Sequence, residues 1–217
     1  MTEFVLYSYF RSSASYRVRC ALHLKGLKFD YKAVHLLNNG GEQHQAAYRD
    51  INPGREVPSL IHNGRVIGQS MAILEYLDDV AAGPRLFPND PYQKSLVRQF
   101  CENINCVQPL QNLRTVQFLT GDLGLPETLK QRWLDEWLGR SFETLETLLQ
   151  KHSGTHCFGD QVGAADCFLV PQIFAAKRMN VDLSRYTNVL RVAQAAEALP
   201  AFQAAHPSRQ PDTPAST

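Results

Sequence analysis

The sequence predicts two domains: an α/β domain on a four-stranded mixed sheet over residues 1–84, and an all-α domain over 91–217. Three observations carry this. Strand and helix signals alternate through the first third in the order β-α-β, then β-β-α. Asn63-Gly64 sits between two apolar runs and marks a two-residue hairpin turn, because both central positions need positive φ. After Pro91 the strand signals stop and long helical apolar faces take over.

Element by element, Phe4–Tyr9 is aromatic and β-branched and reads as a strand. Ser15–Lys25 places Val18, Ala21 and Leu22 on one helical face and stops at Gly26. Phe29–Val34 reads as a second, parallel strand. Asn38-Asn39-Gly40-Gly41 breaks the chain, and an ill-defined stretch follows to Asn52. Pro58–His62 and Arg65–Ile67 form the hairpin. Ser70 starts a helix with Ile73, Leu74 and Leu77 inward, ended by Gly83-Pro84. Gly83–Pro91, with three prolines, reads as a linker.

In the second domain, helices are expected over Pro91–Gln117 and Pro126–Lys151, with proline at the first helical position. Trp133, Trp137, Leu138, Phe142, Leu145, Leu148 and Leu149 form a core face. A helix over Ala164–Met179 and two shorter ones complete the bundle. The tail from Pro207 is expected to run extended over the surface.

Composition narrows the function classes. Hydrophobic residues make up 44% and charged residues 20% of the 217, with a formal net charge of +1. That field is too weak to point to nucleic acid. No apolar run approaches the roughly 20 residues needed to span a bilayer, and the start lacks the pattern of a signal peptide. Five cysteines, an odd number without a Cys-x-x-Cys, argue against a disulfide framework or zinc site and fit a reducing cytoplasm. The seven histidines have no local acid partner or metal spacing and read as structural or surface. Cys101 and Cys106 read as core residues.

The chemistry concentrates at Tyr9–Arg19. Ser12, Ser13, Ala14 and Ser15 lie between a strand and a helix. Free N–H groups at that helix start favour an anion, and a hydroxyl beside them can donate to a thiolate and lower its pKa. On the residues alone, plain helix capping is the better explanation of the same serines. The stretch Ser12-Ser13-Ala14-Ser15-Tyr16-Arg17-Val18-Arg19 resembles the Ser-Ser-Cys-x-x-Arg-Val-Arg signature of zeta-class glutathione transferases, the maleylacetoacetate isomerase family. Further matches run in order: Asn52-Pro53, Val57-Pro58, Gln69-Ser70, Gln108-Pro109-Leu110-Gln111-Asn112, Gly159-Asp160, Leu169-Val170-Pro171-Gln172 and Gln210-Pro211-Asp212-Thr213-Pro214.

The resemblance implies a glutathione transferase fold: a thioredoxin-like N-terminal domain that holds glutathione, and an all-α C-terminal domain that shapes the second substrate. It implies Ser12, with Ser13, as the catalytic pair. Ser12, Ser13, Ala14, Ser15, Gln43, Val57, Pro58, Gln69, Ser70, Gln108 and Asn112 would contact the tripeptide. In such folds the proline at position 58 is cis, so that Val57 can pair with the cysteinyl backbone. Ser70 and the N–H groups after it would receive the γ-glutamyl carboxylate. Gln43 resembles the position that meets the glycyl end. Gln108 and Asn112, one helical turn apart, would share a face.

The second substrate implied is a small diacid, maleylacetoacetate or maleylpyruvate. Arg11, Arg114 and Arg178 are the candidates to hold its carboxylates, since guanidinium forks match them. Arg17 and Arg19, inside the signature, read as structural and able to pair with acids. The implied reaction is cis–trans isomerisation by reversible addition of the glutathione thiolate, in a cytoplasmic homodimer without metal. A transferase acting on small α-halo acids, or a non-catalytic glutathione-binding module, are the alternatives. Two departures stand out. Ala14 replaces the usual cysteine. Gly163-Ala164-Ala165-Asp166 replaces a Ser/Thr-x-x-Asp capping box, leaving no side chain to cap from position 163.

Overall fold

A computed structural model of the chain describes residues 3–215, so the first two residues of the expected first domain and the last two of the second lie outside the described residues. Strand β1 (Phe4–Ser8), helix α1 (Ser13–Leu24) and strand β2 (Phe29–Ala33) form the parallel β-α-β unit. Two 3₁₀ turns, Asn38–Gly40 and Glu42–His44, and the short α2 (Ala46–Arg49) fill the stretch that lacked a periodic signal. Strands β3 (Ser59–His62) and β4 (Arg65–Gly68) make the hairpin, with Asn63 at φ 50° and Gly64 at φ 74°. Helix α3 spans Ser70–Val80. The sheet order is β2-β1-β3-β4, parallel only between β1 and β2. Ile73, Leu74 and Leu77 are buried as expected, beside Leu6, Val18, Leu22 and Leu60.

Helices α4 (Pro91–Gln111), α5 (Leu113–Gln117), α6 (Glu127–His152), α7 (Ala164–Arg178), α8 (Thr187–Glu197) and α9 (Pro200–Ala205) follow. The helix expected over Pro91–Gln117 is therefore two. Asn112 leaves helical geometry at ψ 161° and its side chain caps α5, accepting from Thr115 N at 2.8 Å. Asparagine competes for local backbone donors in this way, and here that ends the helix despite continuing apolar spacing. A π-helical turn, Phe118–Asp122, then leads toward α6. Pro126 caps α6 rather than standing at its first helical position. The core stripe of α6 is Leu134, Leu138, Phe142, Leu145 and Leu149, while Trp133, Trp137 and Leu148 are only half-buried. Cys106 is exposed, not core, although Cys101 is buried.

Packing divides the chain into two units, and not at the expected boundaries. The first joins the described residues up to Phe87 to the segment from Glu197 onward; the second is Pro88–Ala196. Helix α9 packs on α1, and Phe202 is fully buried. The expected linker is not loose either. Asp78 accepts from Leu86 N at 2.8 Å and Phe87 N at 3.2 Å, and pairs with Lys25 and Arg85, so Leu86 and Phe87 finish the first core. The tail from Pro207 is likewise fastened. A 3₁₀ turn covers Pro207–Arg209, and Gln210 Nε2 donates to Ala204 O and His206 O at 2.9 and 2.8 Å.

Two histidines acquire acid partners that no local pattern signals. His62 lies between Glu3 Oε1, 2.6 Å from Nε2, and the Tyr76 hydroxyl, 2.7 Å from Nδ1. His156 Nδ1 lies 3.6 Å from Asp166 Oδ1. The same Asp166 accepts from Gly163 N at 2.9 Å and Cys157 N at 3.1 Å. Position 163 contributes no side-chain cap, but Asp166 still supplies its half of the box.

The Asp166 carboxylate holds the His156 imidazolium above the ordinary histidine value, against the opposing effect of burial. A histidine pKa raised on folding stabilises the protein below the unfolded value, about 6.5, and that stability is lost as pH rises through the raised value. Replacing His156 by Asn should remove this component. The melting-temperature gap between wild type and H156N should then narrow by about 2 °C as pH climbs from 5.5 through that window. A gap independent of pH would show that the pair does not titrate as described.

Candidate functional site

The turn from Tyr9 to Ser12 joins β1 to α1 and is held at Tyr9, Phe10 and Ser12. Ser12 N donates to Tyr9 O at 3.0 Å, closing the turn. Arg19, fully buried on α1, reaches back with Nη1 to Tyr9 O at 3.3 Å and to Ser8 Oγ at 3.1 Å, and with Nη2 to Phe10 O at 3.0 Å. Its Nε donates to Ala205 O at 3.0 Å. On the other side, Asp212 accepts from Phe10 N at 2.9 Å and from the Tyr31 hydroxyl at 2.7 Å. Burial lowers the Arg19 pKa and raises that of Tyr31, so the turn rests on one interior cation and one neutral phenol.

Ser12 occupies the N-cap of α1, at φ −69° and ψ 119°, and its Oγ accepts from Ser15 N at 3.2 Å. The capping reading is thus realised, but it does not exhaust the hydroxyl. Capping uses a lone pair and leaves the O–H proton to donate. Ser13 begins the helix and is buried, Ala14 follows half-buried, and Ser15 is fully buried with its Oγ unpartnered among the described residues.

The other predicted glutathione contacts gather on the same unit. The Val57–Pro58 peptide is cis, as expected from the thioredoxin-like resemblance. The turn before it is set by residues that sequence reasoning noted only as matches or missed. Asn52 Nδ2 donates to Glu56 O at 2.9 Å and Ser59 Oγ at 3.0 Å, and the Tyr48 hydroxyl donates to Glu56 O at 2.7 Å. The Asn52-Pro53-Gly54 turn was the available signal for the first; Tyr48 had none. Gln69 precedes α3 at φ 65° and ψ 120°, a conformation that costs a non-glycine residue about 1–3 kcal/mol. Ser70 is buried at the first helical position, and Arg17 Nη1 donates to its Oγ at 3.2 Å. Arg17 Nη1 thus reaches the Ser70 hydroxyl, and Arg19 donates to the Ser8 hydroxyl and to the carbonyls of Tyr9, Phe10 and Ala205.

Gln43 is only 9% exposed, and while Nε2 donates to Leu36 O at 3.4 Å, its Oε1 has no partner among the described residues. A buried amide oxygen left unsatisfied is unusual enough to ask for a ligand. Gly41 makes room for it: a Cβ there, at φ 99°, would stand 2.5 Å from Gln43 Nε2.

In the second unit the candidates part company. Gln108 is half-buried on α4. Asn112, four residues on, is the C-cap of α4, and its side-chain oxygen is engaged in capping α5. The residue between them, Gln111, is the buried one. It exchanges amide hydrogen bonds with Gln172 at 2.7 and 3.3 Å, so two of the matched motifs meet each other. Arg114 lies exposed on α5 and Arg178 exposed at the end of α7. The start of α6 steadies both neighbourhoods: Trp133 Nε1 donates to Leu110 O at 2.9 Å and Gln131 Nε2 to Met179 O at 3.1 Å. Arg11, in the first unit, is half-buried with its guanidinium 6.0 Å from the Phe10 ring centre. Among the described residues, no helix is long and apolar enough to cross a membrane.

Family models for the glutathione S-transferase N-terminal and C-terminal domains match residues 11–80 and 131–205. The maleylacetoacetate isomerase of Rattus norvegicus is 43% identical over 212 residues, covering 97% of this chain and 95% of the rat protein. A holo structure of maleylpyruvate isomerase, a bacterial zeta-class glutathione S-transferase, superposes with a TM-score of 0.92 at 36% identity, covering 97% of this chain and all, 100%, of that one. A maleylacetoacetate isomerase from Methylobacterium extorquens AM1, with bound malonate and glutathione, gives a TM-score of 0.91 at 34% identity over 97% and 100% of the two chains. The chain belongs to the glutathione transferase family, in its zeta class with the maleylacetoacetate isomerases.

Proposed function

We propose that this protein is a glutathione-dependent cis–trans isomerase of a maleyl-keto acid, with maleylacetoacetate the first substrate to test. The observation that carries the reading is the Ser12 hydroxyl, fixed by its cap to Ser15 N with its own proton uncommitted, at a helix start that favours an anion. Bound glutathione would supply the sulfur nucleophile whose reversible addition to the double bond lets that bond rotate. The residues present suit the tripeptide: the unsatisfied Gln43 oxygen, the backbone beside Val57, and Ser70 at the start of α3.

The work of the protein's own groups follows from chemistry. Ser12 donates to sulfur at the start of α1 and favours the thiolate over the thiol. Ser70, with its oxygen held by the Arg17 guanidinium, is polarised to donate to a carboxylate. Arg11, Arg114 and Arg178 are proposed to bind the diacid, since guanidinium groups match carboxylates; the Methylobacterium relative has malonate, a small diacid, bound. Ala14 leaves no protein thiol in the turn, which suits a reaction whose sulfur arrives with glutathione. Maleylpyruvate is the second substrate to consider, since a maleylpyruvate isomerase is among the similar structures. A cytoplasmic homodimer belongs to the same reading; five free cysteines among the described residues support a reducing setting.

The deciding experiment incubates the purified protein with maleylacetoacetate or maleylpyruvate, with and without glutathione. Trans product formed only with glutathione, and glutathione recovered unchanged, is expected. Consumption of glutathione into a stable conjugate would make the protein a transferase instead. Absence of any reaction would leave a binding module.

Ser12→Ala should lower kcat about a hundredfold and change glutathione affinity far less, because the peptide contacts persist. The ultraviolet absorbance of bound thiolate against pH checks the cause. A thiol pKa equal to that of wild type would remove Ser12 from its role. Arg114→Ala and Arg178→Ala should each raise KM for the diacid by tenfold or more, for a loss of about 1.5–3 kcal/mol. KM for a neutral halo-aromatic electrophile should stay near wild type. Equal effects on both substrates would mark the two arginines as structural.

A further inference from the structure

We infer that Asp212, 202 residues beyond Phe10 in the chain, is a positioning residue that sets the turn carrying Ser12. The inference rests on the reading of Ser12 as the thiolate donor. Phe10 N is two residues before Ser12, in the only connection between β1 and α1. Asp212 Oδ2 accepts from it at 2.9 Å, while Oδ1 accepts from the Tyr31 hydroxyl at 2.7 Å. Tyr31 pairs with Leu6 across the parallel ladder, so one carboxylate ties the turn to the neighbouring strand.

The tail that carries Asp212 is itself anchored. Thr213 N donates to Gln210 O at 3.1 Å, and Gln210 Nε2 holds Ala204 O and His206 O. The adjoining carbonyl, Ala205 O, takes the Arg19 Nε. The turn is thereby gripped by two charged groups from opposite sides of its peptide bonds: Arg19 takes its carbonyls, and Asp212 takes its N–H. Both grips lead to the same C-terminal segment. If that segment moves, the two constraints on the peptide planes leading into Ser12 relax together.

The chemistry asks for a carboxylate. Two donors must be accepted at once on two oxygens, and an amide offers only one. Removal of Asp212 leaves Phe10 N without its acceptor and frees the turn to rotate, which misplaces Ser12 without touching Gln43, Val57 or Ser70. A tail that merely glues the unit together would lower stability and leave the thiolate alone. The two roles therefore separate in the pKa of bound thiol.

The test compares wild type, D212A, D212N, S12A and the S12A/D212A double variant in the full chain. Thiolate absorbance of bound glutathione is read against pH, together with kinetics, melting temperature and amide exchange at Phe10–Ser12 in the glutathione-free protein. D212A is expected to lower kcat about tenfold, to keep KM for glutathione within about threefold, and to raise the pKa of the bound thiol by about 1. Exchange in the turn should quicken. D212N should fall between wild type and D212A. The double variant should be no slower than S12A alone, because both changes act on one hydrogen bond. A wild-type thiol pKa in D212A, or additive losses in the double variant, would overturn the inference. If D212A does not fold, a wild-type thiol pKa in D212N overturns it equally. An unchanged thiol pKa in S12A would instead overturn the Ser12 reading beneath it.

Discussion

The guanidinium of Arg19 sits in the interior of the first unit with none of its surface exposed. A charge in that position is expensive unless its donors are met. Here no carboxylate lies within ion-pair distance of it among the described residues. Three backbone carbonyls and one serine hydroxyl serve instead, with the Tyr16 ring 5.2 Å away. Hydrogen bonds to a charged group contribute about 1.5–3 kcal/mol each, and two of these carbonyls belong to the turn that presents Ser12. The site thus depends on a cation that never faces it. The Arg-Val-Arg ending of the signature makes physical sense on that basis: Arg19 shapes the first helix start, and Arg17 reaches the Ser70 hydroxyl at the second.

The two helix starts work as a pair within one unit. At α1 the serine hydroxyl caps and retains a proton. At α3 the serine hydroxyl is oriented from behind by a buried arginine. Each start carries the positive end of a helix dipole, so one small sheet domain offers two anion-favouring positions. A tripeptide with a thiolate and a γ-glutamyl carboxylate has the charges to fill both. Gln69 accepts a strained φ of 65° at the entrance to the second, and strain of this kind persists where the surrounding structure dictates it.

Much of this was legible in the sequence because the signals were local. The Asn-Gly hairpin, the Gly26 stop, and the Ile73, Leu74, Leu77 stripe each follow from a few neighbouring residues, and the structure carries them. The family resemblance led directly to the Ser12 turn and the cis Val57–Pro58 peptide. What escaped was long-range or decided by competition. Gln111 and Gln172 are 61 residues apart, and nothing near either one predicts their reciprocal pair. His62 and His156 find their acids on other elements. Asn112 could have been read as a cap, but the apolar period around it ran on and outweighed it. The proline-rich tail read as extended because composition does not reveal that Asp212 and Gln210 have partners waiting.

The division of the chain also has a temporal side. The first unit is discontinuous: its sheet is made first, and its closing helix and tail come only after the entire second unit. Units built from one continuous segment can fold as they leave the ribosome, N-terminal part first. This one cannot finish that way. Strands β1 to β4 can emerge and pair, but Phe202 is not yet there to fill the core against α1, and Arg19 lacks the Ala205 carbonyl. A nascent chain stalled within the helical unit would hold the whole signature and still present an unfinished turn. Synthesis order thus delays the assembly of the anion site until the last helices have been made.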